Sequence, residues 1–212
     1  MVSKSSSTTE GHPSRPNALR LYGRRVMLRP LVAPDFASWS EIRRRNHDWL
    51  TVWEPAKTSF SPDPAADREA FAARCNMRDR DRQSGVGYSF GLFVDNNLAG
   101  EVNLNNVVRG ALQTGTIGYW IDQAKAGRGY VAEAVVVMFR YAFEQLGLHR
   151  VEICIIPRNH NSHRVMQKLV IREEGTALRF LEINGVWEDH VRYGITAEEW
   201  QERADDFADE WL

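Results

Sequence analysis

The chain has 212 residues, 43% of them hydrophobic and 26% charged, which is the make-up of an ordinary soluble globular protein of one domain or at most two. Its formal net charge of −1 lacks the basic bias of nucleic-acid binders, so no DNA partner is expected. Two distant cysteines, Cys75 and Cys154, with no CxxC pair, argue against a disulfide framework or a thiolate zinc site, and no metal is expected.

Residues 1–18 are rich in Ser, Thr and Pro and poor in apolar groups, which predicts a flexible tail ahead of a domain over 19–196. No apolar h-region marks a signal peptide, and the longest apolar run, Val131–Phe143, is broken by Glu133 and Arg140. Neither a membrane span nor export is therefore expected, and the location reads as cytoplasmic. Arg25–Leu31 reads as a first strand. Asp35 is placed to cap a helix whose Phe36, Trp39 and Ile42 form an apolar stripe. A second helix is expected from Pro64 to about Arg82. The basic runs Arg43-Arg44-Arg45 and Arg78, Arg80, Arg82 read as solvated helix faces, against the alternative of a patch for ribosomal RNA or an acidic peptide.

Two apolar runs, Tyr88–Val94 and Leu98–Leu104, flank Asp95-Asn96-Asn97 and predict a hairpin. Thr114–Asp122 is a further strand, Val131–Leu146 a long helix, Val151–Ile156 a strand that buries Cys154, and Asn161–Leu169 a helix. Leu178–Ile183 and Trp187–Tyr193 flank Asn184-Gly185, a strong hairpin signal. The acidic segment 197–212 predicts a helix with Trp200, Phe207 and Trp211 on one side, docked on the body or offered to a partner. Together these elements predict one α+β domain, a mostly antiparallel mixed sheet flanked by helices.

Between Trp120-Ile121-Asp122 and the long helix stands Gly127-Arg128-Gly129. A strand running through glycines into a helix N-terminus gathers backbone N–H groups at one point, which suits an anion. Taken alone GxG is weak, being neither a Walker loop nor a GxGxxG fingerprint.

The context of that loop resembles the phosphate loop of the GNAT acetyltransferase superfamily, Q/R-x-x-G-x-G/A, with Ala124 at the Gln/Arg position. Asn159-His160-Asn161-Ser162 resembles the N-x-x-S of the RimJ/RimL branch. Trp53-Glu54-Pro55, Asn106-Val107-Val108-Arg109-Gly110, Gly118-Tyr119-Trp120 and Asn184-Gly185…Trp187-Glu188-Asp189-His190 follow the RimJ-like order from about residue 20 to 195. One departure is Leu169-Val170-Ile171, where the family has L-G-F. A β-branched residue is costly at positive φ, so that helix end must be built differently or be strained.

The resemblance implies the GNAT fold and transfer of an acetyl group from acetyl-CoA to an amine. The implied acceptor is the α-amine of a protein N-terminus, ribosomal in RimJ-like enzymes. Tyr119, Trp120, Ile121, Gly127, Arg128, Gly129, Tyr130, Val131, Asn159 and Ser162 are the implied cofactor contacts. The tyrosine that many members carry seven residues after the Asn is replaced here by Met166, which leaves Ser162 as the expected acid for the leaving thiolate or else a helix cap. Glu101 is the candidate base, sharing a strand face with Asn103 and Asn105, against the alternative of a solvent face. Glu54, Trp53, Asn103 and Glu182 are candidate substrate contacts. His190 is a possible titrating group or a histidine tied to its own turn. Two alternatives stay open, a small-amine acetyltransferase (antibiotic or polyamine) and a non-catalytic acyl-CoA-binding or ribosome-assembly protein. Monomer and homodimer are both compatible with the sequence.

Overall fold

A computed structural model of the chain describes residues 19–56 and 62–212; the expected tail, 1–18, lies outside them. Eight strands form one sheet: β1 (Leu21–Tyr22), β2 (Val26–Arg29), β3 (Tyr88–Val94), β4 (Asn97–Val108), β5 (Thr114–Ile121), β6 (Arg150–Ile155), β7 (Arg172–Ile183) and β8 (Val186–Thr196). The spatial order is β1-β2-β3-β4-β5-β6-β8-β7, and every neighbouring pair is antiparallel except β5–β6. Helices are α1 (Phe36–Arg45), α2 (His47–Thr51), α3 (Arg68–Ser84), α4 (Tyr130–Arg140), α5 (His160–Lys168) and α6 (Ala197–Trp211). This is the expected α+β domain with a mostly antiparallel mixed sheet.

Strand alternation splits the sheet into two cores. One face carries Val26, Leu28, Leu92, Val102 and Ile117 against α4 and α6; the other carries Phe93 and Trp120 against Trp39, Ile42 and Phe71 of α1 and α3. The aromatics of α6 dock on the body: Trp200, Phe207 and Trp211 are buried, and Trp200 stacks on Phe143 with centroids 5.9 Å apart. The docked reading of the C-terminal segment is the one observed.

Several local expectations are corrected. Asp35 does not cap α1; its carboxylate grips Arg29 through two bonds of 2.7 and 2.8 Å and accepts the Val32 N–H, because a bidentate cation outcompetes a helix end. The cap of the second long helix is Asp67, which accepts from Glu69 and Ala70, so α3 starts at Arg68 and ends on left-handed Gly85. The short helix α2 and strand β1 were not expected. The last hairpin is much longer than its apolar runs, since β7 pairs with β8 from Arg172 although nearly all of its side chains are exposed. The long helix turns at Tyr141–Gln145 into a π-helical turn. Cys75 is buried and Cys154 only half-buried.

Nor are the basic runs simply solvated. Arg43 forms a bidentate pair with Glu54 and lies over Trp120, Arg45 bonds Asp122, and Arg78 and Arg82 turn into a cavity beneath α3. Arg43, Arg45 and Arg82 have polar or aromatic partners that the helix pattern alone does not disclose.

Candidate active site

Strands β5 and β6 pair only over Thr114–Thr116 and Arg150–Glu152. Beyond that point β5 follows β4 while β6 follows β8, so Ile117–Ile121 and Ile153–Ile155 diverge and open a wedge in the sheet. Backbone groups along a parted edge are free to bind an extended ligand.

The glycine loop stands where β5 ends. Gly127 (φ 76) and Gly129 (φ 85) are both left-handed, and Gly129 is the N-cap of α4, which has no side-chain cap hydrogen bond. A Cβ built on Gly127 would meet nothing within 4 Å, so the space beside the loop is open rather than filled by protein. The helix dipole and uncapped N–H groups therefore face that space.

Two tethers fix the loop, and neither was evident from sequence. On one side Asp122 accepts from Arg45 at 2.5 Å, Asn46 at 2.9 Å and Ala124 N–H, while Asn46 in turn accepts the Gln123 N–H. Burial works against the Asp122 charge, but Arg45 and Asn46 hold its carboxyl below the usual carboxylate range. On the other side Glu133, in the first turn of α4 and 1% exposed, accepts the N–H groups of Arg25 and Val26 at 2.5 and 3.0 Å and pairs with the Arg25 guanidinium. Arg25 also donates to the Arg128 carbonyl, and it and Lys168 lie beside Gly129. These two cations sit close to an anion-ready loop. Arg25 precedes an apolar strand and Lys168 ends a helix, but their meeting 100 or more residues apart is a tertiary fact.

At the far side of the wedge, Asn159 caps α5 by accepting the Ser162 N–H at 3.2 Å. The cap role weighed for Ser162 thus belongs to Asn159. The Ser162 hydroxyl stands beside Tyr119 of β5, whose own hydroxyl is buried with no well-aligned partner. Burial pushes the Tyr119 phenol well above its usual range, with Ser162 pulling the other way, so the phenol stays protonated. His163 fastens the same helix: Nε2 lies 3.2 Å from the Ile156 carbonyl and Nδ1 2.8 Å from the Tyr193 hydroxyl. Because a carbonyl only accepts, Nε2 carries a proton.

The polar face of β4 is not a solvent face. Glu101 is 1% exposed, bonded at one oxygen by Trp39 and at the other by Arg74 at 2.6 Å. Asn103, opposite Gly118, keeps a buried oxygen without a partner. Trp53, Glu54 and the last hairpin come together as one wall. Asn184 N–H donates to the Glu54 carbonyl at 2.9 Å, and Arg158 links the Trp53 ring (4.9 Å) to Glu188 (2.5 Å). Since Arg158 adjoins Asn159, this wall borders the serine end of the wedge. The Glu54 carboxylate is shared with Arg43, so an ammonium group there must compete with a bidentate guanidinium. Glu182 is exposed near the hairpin tip, and His190 is buried with Nδ1 bonded to the carbonyl of Glu188, its own strand. Among the described residues no group of three or more His, Cys, Asp or Glu is arranged to hold a metal, and no helix is long and apolar enough to cross a membrane.

Comparison with known proteins agrees with this architecture. Residues 25–170 match the acetyltransferase (GNAT) domain family. A probable N-acetyltransferase of Bacillus subtilis, YjcK, is 36% identical over 80% of this chain and 93% of its own length. The [ribosomal protein uS5]-alanine N-acetyltransferase of Escherichia coli is 29% identical over 90% of this chain and 97% of its own. The structure of Mycobacterium smegmatis RimJ in complex with CoA-disulfide superposes with a TM-score of 0.79 at 29% identity, covering 90% of this chain and 94% of that one. The wedge, the open glycine loop and the capped serine helix are thus parts of a RimJ-like acetyl-CoA-dependent N-acetyltransferase, and the chain belongs to the GNAT family.

Proposed function

We propose that the chain acetylates the α-amino group of a protein N-terminus, that of a ribosomal protein in the cytoplasm. The observation that carries this reading is the wall built by Trp53, Glu54, Arg158 and the hairpin around Asn184, which flanks the serine end of the wedge. A wall of that length beside the polar face of β4 suits the end of an extended chain better than a compact amine. Relatives named for alanine α-amines of a ribosomal protein, at about 29% identity, support it. A polyamine acceptor calls for an unpaired acidic cleft, whereas Glu54 and Glu101 are each neutralised by an arginine.

The residues fit the co-substrate. The α4 N-terminus and the open side of Gly127, with Arg128, Arg25 and Lys168 near by, would hold the pyrophosphate. Tyr119, Trp120, Ile121 and Asn159 would line the pantetheine in the wedge, with Tyr130 and Val131 contributing N–H groups. When bound, acetyl-CoA supplies the thioester carbonyl that the amine attacks. An α-amine with pKa near 7.7–8 is roughly a tenth neutral at pH 7, so a weak base suffices. Glu101 accepts the amine proton, directly or through water, with Asn103 orienting the acceptor. Ser162 gives its proton to the departing sulfur and regains one from solvent, and the neutral Tyr119 phenol donates to the serine oxygen as charge develops there. Trp53 and Glu182 contact the peptide beyond its first residue.

The test offers labelled acetyl-CoA with a panel of ribosomal-protein N-terminal peptides and, separately, aminoglycosides and polyamines. Label is expected on peptide α-amines; label on small amines and on no peptide would refute the reading.

A further inference from the structure

Arg74, Arg78 and Arg82 follow one another at four-residue intervals along α3 and so share one face of the helix. Beneath that face lies a part-open cavity of about 320 Å³, lined also by Leu31, Val32, Ser89 and Glu101. Its size reaches the lower end of the range for small-molecule pockets. It opens on the α1–α3 face of the sheet, over β2–β4, whereas the glycine loop leads into α4 on the opposite face. The loop and the cavity are therefore separate places.

The charges around this cavity do not balance. Arg74 is paired with Glu101 and Arg82 with Asp79, but among the described residues no carboxylate lies within ion-pair distance of Arg78. The Nε atoms of both Arg78 and Arg82 are buried and lack any hydrogen-bond partner. Three guanidinium groups thus meet two carboxylates, and two charged N–H donors are left unsatisfied. A charged donor hidden from water without a partner is costly. Burial, and then the charge of Arg74, disfavour the Arg78 cation, against the smaller pull of Glu101 and Asp81. Leu31, Val32 and Ala33 give the cavity an apolar side, next to Ser89 and Asn76. A ligand matching this chemistry has an oxyanion head for the guanidinium groups of Arg78 and Arg82 and a small apolar body.

We infer that the cavity under α3 binds a small organic oxyanion, its carboxylate or phosphate held by Arg78 and Arg82 and its apolar part against Leu31 and Val32. The site is additional to the acetyl-CoA wedge and meets the proposed transfer machinery only at Glu101, which forms part of its wall.

Titration calorimetry at constant ionic strength tests it with three probes: inorganic phosphate, phenyl phosphate and benzoate. Saturable millimolar or tighter binding of phenyl phosphate or benzoate is expected, and whichever binds more tightly identifies the head group. Arg78→Gln should weaken it roughly ten- to a hundredfold, the loss expected for one charge-assisted hydrogen bond. Arg80→Gln, exposed on the same helix, should bind like the parent. Saturating coenzyme A should leave binding in place. Thermal unfolding of the ligand-free variants shows whether Arg78→Gln is folded; if it is not, Arg82→Gln carries the same expectation. The inference is overturned if no probe binds saturably, if both arginine variants bind like the parent, or if coenzyme A displaces the probe. It is equally overturned if inorganic phosphate binds as tightly as both organic probes, because the apolar wall would then contribute nothing.

Discussion

Replacing Val170 by glycine should stabilise this protein. Helix α5 ends in a full Schellman motif, with Ile171 N–H bonded to the Met166 carbonyl at 3.0 Å and Val170 N–H to that of Gln167 at 3.1 Å. The motif requires a left-handed residue after the last helical one, and Val170 takes it at φ 50. The conformation is fixed from outside, since Arg203 donates to the Leu169 and Val170 carbonyls at 2.7 and 3.1 Å. An L-residue there costs about 1–2 kcal/mol, and a β-branched one falls at the upper end. Glycine removes that strain but loses about 0.4–1 kcal/mol through a more flexible unfolded chain. The valine side chain leaves little behind, because the residue is 73% exposed; a quarter of a burial worth about 1.5–3 kcal/mol is roughly 0.5 kcal/mol. The net gain is about 0.5–1 kcal/mol. Val170→Asn, which tolerates the same conformation without the unfolded-state cost, should gain slightly more. Urea unfolding at constant m reads both out as raised midpoints. Lower midpoints for both variants would show that residue 170 is not left-handed in solution, and the strain argument would fail.

The remaining expectations concern the site. Ser162→Ala should lower kcat by roughly ten- to ten-thousandfold with little change in coenzyme A affinity, measured by steady-state kinetics and calorimetry; unchanged turnover removes it as the acid. Tyr119→Phe, which keeps the ring and deletes only the hydroxyl, should lower kcat by roughly ten- to a hundredfold, and an effect on KM alone would make it a mere wall. Gly127→Ala meets no protein atom, so a loss of coenzyme A affinity greater than its loss of stability reports a ligand pressed against that position; equal losses would move the pyrophosphate elsewhere. Asp122 has a depressed pKa in the folded state, so its stabilisation is present above the unfolded value near 3.8 and is lost as pH falls through the folded one. Asp122→Asn should therefore cost about 1–3 kcal/mol at pH 7, and the gap to the parent should close below about pH 4. A gap independent of pH would mean that the aspartate acts by shape rather than charge.

Strands whose two faces differ were legible, and β3 is bounded as its apolar run predicts because both of its neighbours bury it. Strand β7 was not, since backbone pairing alone holds a row of exposed side chains in place and leaves no hydrophobic period to read. The glycine loop and the N-x-x-S turn were legible as local chemistry. What positions them was not: Glu133 and Arg25 are 108 residues apart, and Asp122 meets Asn46 across 76. The one missed signal available in sequence was Asp67 before Arg68-Glu69, an N-cap obscured by Pro64 three residues earlier. Val170 shows the opposite case, where a single residue against the family pattern did predict strain and the backbone carries it.

The two tethers on the loop argue for how the site divides its labour. Asp122 ties the strand end to the α1–α2 corner, the part of the fold from which Trp53 and Glu54 depart toward the acceptor wall. Glu133 ties the first turn of α4 to β2 and the opposite core. The loop is thus clamped between the element proposed to meet the acceptor and the one that carries the dipole. It need not reorganise when an anion arrives, so the ordering entropy of its glycines is already met by folding. Both clamps are carboxylates buried within a few residues of the proposed pyrophosphate site, an arrangement that would repel an anion there if either were bare. Each is instead covered by an arginine, Arg45 or Arg25, that is nearly half exposed on its outer side. The carboxylates supply rigidity through backbone and amide hydrogen bonds, and the arginines cancel their charge. Arg25, on the loop side, leaves a positive edge facing the approach to Gly129.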